Sequence, residues 1–286
     1  MKIISIIIVT YNSESCLYEC LRSLQLHNDL KKDDIEIVVV DNSVYTSIEL
    51  REIVKLFPNV HLIRNNINKG FGQGNNIGAD ASSGEILLFL NPDTKFIEPV
   101  FKEVVNSFRG DLNIGTIGCQ LIDESGRQNN TYGYFPEKFN AFIFFLHKVL
   151  YHSFKYIPRT FIYPWGANLF IRKSDFYAAG KFDESFFLCH EEPDLCKRIL
   201  PKKTKILKRR IMHYGEQSVK GEDKKYDEWM KSLKLYCNKY RYDFQKILKK
   251  WKMFYFIVFI MRKISFKNTE EIKKCLNKIN QVMDSS

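Results

Sequence analysis

Ile3-Ile4-Ser5-Ile6-Ile7-Ile8-Val9, running straight into Thr10-Tyr11-Asn12, is the stretch from which the fold is read. Its β-branched residues favour an extended chain, and an apolar run without alternation belongs to a strand covered on both faces. Ile35–Val40 repeats the pattern and ends in Asp41-Asn42-Ser43. Val60–Arg64 and Glu85–Leu90 are two further strand candidates, the second leading into Asn91-Pro92-Asp93. Helix-like segments lie between them, near Ser15–Leu26, Ile48–Phe57 and Gly74–Ala81. Strand–helix alternation with short connections predicts an α/β fold with a mainly parallel central sheet flanked by helices. In such sheets ligands bind beyond the carboxyl ends of the strands, where loops and helix N-termini converge. Three polar strand ends therefore predict a nucleotide-sized site.

Farther along, the pattern loosens. Between about Gly126 and Tyr163 aromatics crowd the chain, among them Tyr132, Tyr134, Phe135, Phe142, Phe144, Phe145 and Tyr151. This stretch reads as an insertion facing a partner, with core packing as the alternative. Gly166–Ile171 reads as a strand, Lys173–Ala179 as a helix, and Asp194–Leu200 as a helix entered through Pro193. Beyond Lys220 the chain reads as helical, basic and aromatic to about Lys263.

The net charge of +11 is concentrated at one end. Residues 1–196 carry 19 Lys/Arg against 24 Asp/Glu, whereas residues 197–286 carry 25 against 9. Such asymmetry points the tail at an anionic partner, a membrane surface or a nucleic acid, unless it is simply a solvated face. The seven cysteines include no C-x-x-C pair, which argues against a disulfide framework or a zinc site. Cys16 and Cys20 share a helix face and read as small core side chains in a reducing compartment. The late apolar run Met253–Met261 is short of the roughly 20 residues that span a bilayer.

Asp41, at a strand end, is placed either to cap a turn or to bond a nucleobase or ribose. Asp93 gains meaning only with a distant partner, because Mg²⁺ or Mn²⁺ on a diphosphate needs one or two protein ligands. His213 is a candidate for that second ligand, though a lone histidine is more often structural. Glu191, Glu192 and Asp194 crowd three carboxylates into four residues, which raises proton affinity and suits a general base. A solvated helix start is the alternative. Gly70-Phe71-Gly72-Gln73-Gly74 does not directly follow the first strand, which excludes a dinucleotide-binding dehydrogenase loop. These glycines read as shaping a turn into Asn75-Asn76 near the donor site.

Taken in order, these pieces resemble the family 2 glycosyltransferases, in particular the bacterial rhamnosyl- and galactofuranosyltransferases of surface polysaccharides. The matching stretches are Val9–Asn12, Val39–Ser43, Asn68–Gly72, Leu90–Thr94, Gly166-Ala167, Gly180–Glu184, Glu191–Leu195 and His213. The resemblance implies the GT-A fold over residues 1–218, with a nucleotide-binding half to about 120 and an acceptor half over 121–218. Residues 219–286 would form a helical C-terminal extension. It implies an inverting transferase that moves a sugar from a UDP- or dTDP-sugar to a glycan or lipid-linked acceptor in capsule or other polysaccharide synthesis. Thr10, Tyr11, Asn12, Asp41, Asn42, Asn75, Asn91, Asp93 and Gly166 would bind the nucleotide-sugar. Asp93 and His213 would hold Mn²⁺ or Mg²⁺, and Glu192 would be the base, with Glu191 and Asp194 beside it. Glu192 stands where this branch usually has Asp, one methylene shorter. The expected setting is the cytoplasmic face of the cell membrane, reached through the basic extension, with no nucleic acid as partner and an oligomer allowed. A nucleotide-binding but inactive scaffold and a basic RNA-binding protein are the competing readings.

Overall fold

The computed structural model describes residues 2–129, 131–139, 144, 161–215, 222–264 and 268–284, without the side chains of 222–225 and 271. The chain divides into two compact units, residues 1–133 with 162–220, and residues 134–161 with 221–286.

The first unit is built on an eight-stranded sheet. Strand β1 (Ile4–Thr10) is buried along its whole length and lies between β2 (Ile35–Asp41) and β4 (Ile86–Leu90), parallel to both. Strand β3 (Val60–Arg64) extends the parallel set on the far side of β2. The register pairs Thr10 with Asp41 and Ile8 with Leu90, so the polar strand ends emerge along one edge.

Three further strands complete this sheet beyond those expected. They are β5 (Thr94–Phe96), β6 (Ile114–Ile122) and β10 (Lys203–His213). With β9 (Asn168–Arg172) the order is β3-β2-β1-β4-β9-β6-β10-β5. Strand β9 runs antiparallel to both β4 and β6, and β5 runs antiparallel to β10, while β6 and β10 are parallel. Strands β7 (Tyr132–Tyr134) and β8 (Ile162–Pro164) form a separate ribbon.

Helices α1 (Glu14–Leu26), α2 (Ile48–Lys55), α3 (Phe71–Asp80), α4 (Phe101–Gly110), α5 (Lys173–Ala178) and α6 (Glu191–Arg198) belong to this unit. Helix α3 begins three residues before the expected start, because the glycine run is the helix itself rather than a turn. Gly74 and Gly78 lie one helical turn apart and face β1. A Cβ at Gly74 would come within 2.8 Å of Val9 Cγ1, and one at Gly78 would overlap Ile7 Cγ2. Their missing side chains let the helix backbone approach the strand closely.

In the second unit, α7 (Glu222–Tyr240), α8 (Phe244–Ile264) and α9 (Glu270–Asp284) enclose a core of Met230, Leu233, Cys237, Ile247, Leu248 and Ile279. The last of these helices lies past the stretch read as helical from composition, and within the extension over 219–286. Phe139 stacks on Trp251 with ring centroids 4.0 Å apart, and Phe144 meets Phe254 edge-on at 4.8 Å. The described aromatics of the loosened stretch are thus core rather than partner-facing, while Phe142, Phe145 and Tyr151 lie outside the described residues. Among the described residues no helix is long and apolar enough to cross a membrane.

Candidate active site

The β1 and β2 ends carry most of the expected nucleotide-binding residues, and the structure gives them unequal work. Thr10 is buried with its Oγ1 lacking a hydrogen-bond partner, and Tyr11 is 42% exposed beside it. Asn12 takes a left-handed backbone, and its N–H donates to Ser43 Oγ. Asp41 is fully buried, its Oδ1 accepting from the Ser43 N–H and its Oδ2 from Thr46 Oγ1 at 2.5 Å. Asp41 thus caps the turn that follows β2. Asn42 is likewise committed, donating to Asn68 Oδ1 and the Gly70 carbonyl and accepting from Asn65 Nδ2. Asn75 is fully buried in α3 with its amide turned back on the Phe71 carbonyl. Asn75 Oδ1, like Thr10 Oγ1, is buried without a hydrogen-bond partner, whereas the side chains of Asp41 and Asn42 bond to their neighbours.

The Asp93–His213 pair is produced by strand pairing. Antiparallel β5 and β10 set His213 opposite Thr94, and the Tyr214 N–H donates to the Asp93 carbonyl at 3.0 Å. His213 Nε2 then lies 3.3 Å from Asp93 Oδ1. Asp93 is 2% exposed, and both its carboxylate oxygens are buried without a hydrogen-bond partner. A buried carboxylate left in that condition is costly. A divalent cation shared with the imidazole offsets the cost, so this donor set fits Mn²⁺ or Mg²⁺. Among the described residues no cluster of three or more His, Cys, Asp or Glu side chains could hold a metal, so the remaining positions would fall to phosphate oxygens and water. Nearby, Cys20 Sγ lies 3.6 Å from Thr94 Oγ1, and burial pushes its thiol up to about 12. Burial also raises Cys16. Both remain protonated core thiols, as their shared helix face suggests.

The acidic cluster opens α6, immediately after two consecutive left-handed residues, Cys189 and His190. That reversal starts the helix at Glu191, earlier than expected, and puts all three carboxylates in the first turn. Their environments differ. Asp194 is fully buried, and its Oδ2 accepts from Arg198 Nη2 at 2.7 Å and Nε at 3.0 Å. These contacts brace the first turn of the helix, within the capping or positioning role expected of Asp194. Glu191 is 2% exposed, and burial together with the neighbouring Glu192 charge holds its carboxyl well above the usual range. Glu192 is half-buried, and its Oε1 accepts the Gly166 N–H at 2.9 Å. Burial raises Glu192 as well, against the lowering effect of that N–H.

Gly166, expected among the donor ligands, instead seats Glu192; any Cβ there would collide with Glu192 Oε1. The next residue ties this seat to the loop carrying Asp93, because the Asn91 N–H donates to the Ala167 carbonyl at 3.2 Å. Two adjacent residues thus connect the strand end carrying Asn91 and Asp93 with the carboxylate of Glu192.

Several contributors escaped sequence reasoning. Asn76 clamps the loop that precedes the acidic cluster, accepting from the Phe182 N–H and donating to the Phe182 carbonyl and Glu184 Oε1. Gly70, at φ +103°, clears the Phe187 carbonyl, to which the Phe71 N–H donates. Burial and the Glu192 charge raise the Tyr163 phenol well above its normal range. Only Arg198 left a readable signal, its i,i+4 spacing from Asp194.

The family profile described as "Glycosyl transferase family 2" matches residues 5–176, more than half of the chain. The chain belongs to this family. Glu192 and His213 lie beyond the matched segment. Among family 2 relatives, the chain is 26% identical over 209 residues to the rhamnosyltransferase WbbL of Escherichia coli, covering 68% of this chain and 75% of that protein. It is 38% identical over 93 residues to a poly(ribitol-phosphate) β-glucosyltransferase of Bacillus spizizenii, covering 32% of this chain and 14% of that protein. Over the first three curated relatives the chain spans 14 to 41% of their length. The mannosyltransferase PcManGT of Pyrobaculum calidifontis, solved with GDP-Man and Mn²⁺, superposes with a TM-score of 0.60 at 14% identity, covering 99% of this chain and 74% of that one. The fold is therefore GT-A-like.

Proposed function

We propose that this family 2 protein transfers a glycosyl group, with inversion, from a UDP- or dTDP-sugar to a hydroxyl of a glycan or lipid-linked acceptor in surface polysaccharide or capsule synthesis. The observation that carries the proposal is the buried, unpartnered Asp93 carboxylate 3.3 Å from His213 Nε2. The donor and cation reading is supported by PcManGT, solved with GDP-Man and Mn²⁺, and by Staphylococcus aureus TarS, solved with UDP. The acceptor reading is supported by the names of the relatives, which include a rhamnosyltransferase and a glucosyltransferase of poly(ribitol-phosphate).

In this mechanism Asp93 and His213 would hold Mn²⁺ or Mg²⁺, which would supply positive charge opposite the departing diphosphate. Glu192 accepts the acceptor's hydroxyl proton as its oxygen bonds to the anomeric carbon. The bond from that carbon to the nucleoside diphosphate breaks on the opposite face, so configuration inverts. Glu191 lies beside Glu192, its carboxyl held well above the usual range by burial and by that neighbour's charge. Thr10 and Tyr11 line the donor pocket whose wall is held by Asp41 and Asn42. The protein works at the cytoplasmic face of the membrane through its basic helices.

The test is nucleotide release by the purified chain from UDP-, dTDP- and GDP-sugars with Mn²⁺. Turnover abolished by EDTA and by Asp93→Ala is the expected result. Donor binding without release in any combination would instead mark an inactive scaffold.

A further inference from the structure

Helix α8 contains six Lys/Arg and no Asp or Glu. Along one side, at spacings of three, four and four, run Met253, Phe256, Ile260 and Ile264, exposed by 49, 54, 41 and 72%. An apolar stripe with that exposure on a helix is an interaction surface rather than scattered surface hydrophobes. Beside it, α8 and α9 enclose a groove of about 730 Å³, with Phe259, Leu276 and Met283 among its apolar lining residues and Lys249, Lys252 and Lys273 among its basic ones. Lys273 pairs with exposed Glu270. Lys249 and Lys252 have no hydrogen-bond or ion-pair partner among the described residues.

We propose that this face of α8, with the α8–α9 groove, docks on an anionic phospholipid surface. The apolar stripe enters the headgroup–acyl boundary, and Lys249 and Lys252 bond lipid phosphates at the groove. The proposal identifies the surface behind the membrane setting given above, and it rests on that part of the reading.

Charge decides among the occupants. A second copy packed symmetrically on this stripe would bring two cationic, acid-free helices together, a repulsive arrangement. An RNA strand needs exposed rings to stack on. Among the described residues several large aromatics of this unit are instead packed on one another, with Tyr236 fully buried and Trp251 stacked on Phe139. The exposed stripe is aliphatic and thioether apart from Phe256. Aliphatic side chains interspersed with lysines suit a bilayer interface, which offers both an apolar boundary and anionic headgroups.

The test is co-sedimentation of the full chain with phosphatidylcholine vesicles, with and without one-third phosphatidylglycerol. Binding is expected only with the anionic lipid, weakening as salt rises. Each of Lys249→Gln and Lys252→Gln should lower partitioning about five-fold, the equivalent of about 1 kcal/mol per charge at the surface. Phe256→Asp and Ile264→Asp should each lower it at least about ten-fold with unchanged melting, since both sites are exposed. Equal partitioning on neutral vesicles, or full binding by both Asp variants, overturns the proposal. So does a dimer in solution that Phe256→Asp dissociates without any vesicle binding, or tight binding to oligouridylate in its place. Nucleotide release by Phe256→Asp, measured without vesicles, should equal wild type. Failure of release in the wild type counts against the transferase reading and leaves the docking result standing.

Discussion

At the scale of single residues, the roles proposed for Asp93 and Glu192, and for Gly166 as the seat of Glu192, can each be tested apart from the fold. Asp93 is buried, and neither of its carboxylate oxygens accepts a hydrogen bond from the protein. Asp93→Asn removes the charge but keeps the shape, so calorimetry of Mn²⁺ with UDP should show loss of cation-dependent binding. Glu192→Gln should lower kcat by about 10²–10⁴-fold, the range of general-base contributions, while donor binding is kept. A base works only when ionised. Because burial raises Glu192, kcat in the wild type should climb with pH through a value above the ordinary carboxylate range, and Glu192→Gln should flatten that limb. Gly166→Ala tests the seat itself. The added methyl must push Glu192 away, so the expected result is a kcat loss near that of Glu192→Gln with little change in donor affinity.

Among the elements, α6 shows how a short helix is kept in place while presenting costly groups. Asp194 and Arg198 form its internal brace, and Arg198 Nη1 also donates to the Ala179 carbonyl. Replacing Arg198 with Leu strands a fully buried carboxylate, which costs about 3–5 kcal/mol. The melting temperature should fall by about 2–4 °C for each kcal/mol lost. Arg198→Lys keeps the charge but not the two-pronged geometry, so it should restore only part of the loss. The β5–β10 pairing has the corresponding role for the cation site. It is the element that sequence reasoning missed and on which the Asp93–His213 pair depends.

Over the whole molecule, buried titratable groups near the site couple stability to pH. His190 is buried, and burial lowers it to about 3. The unfolded chain takes up that proton near pH 6.5, so this contribution is present above pH 6.5 and is lost as pH falls toward 3. Glu191 behaves oppositely. Its raised folded value means that stability is present at low pH and is lost as pH rises through that value. Glu191→Gln should therefore raise the melting temperature at neutral to alkaline pH, by an increment that shrinks on acidification. A calorimetric pH series on the two proteins checks both the sign and the window.

Periodicity and residue type alone determined the apolar strands β1 to β4, their polar carboxyl ends and the helices between them, because continuous β-branched runs have few other ways to be buried. The ordered short motifs likewise marked Asp93, His213 and the carboxylates at 191, 192 and 194 in advance. What the tertiary structure decided was which partners each of these groups has. Asp41, Asn42 and Asp194 look like Asp93 in sequence, yet each hydrogen-bonds to side chains or backbone elsewhere, while both Asp93 oxygens lack such a bond. The edge pairing of β5 with β10 likewise joins residues far apart in sequence, and no local preference encodes that register. Local physics gives a strand its run and its end. Only the packed chain determines which strand lies beside it and which polar atom is left without a partner.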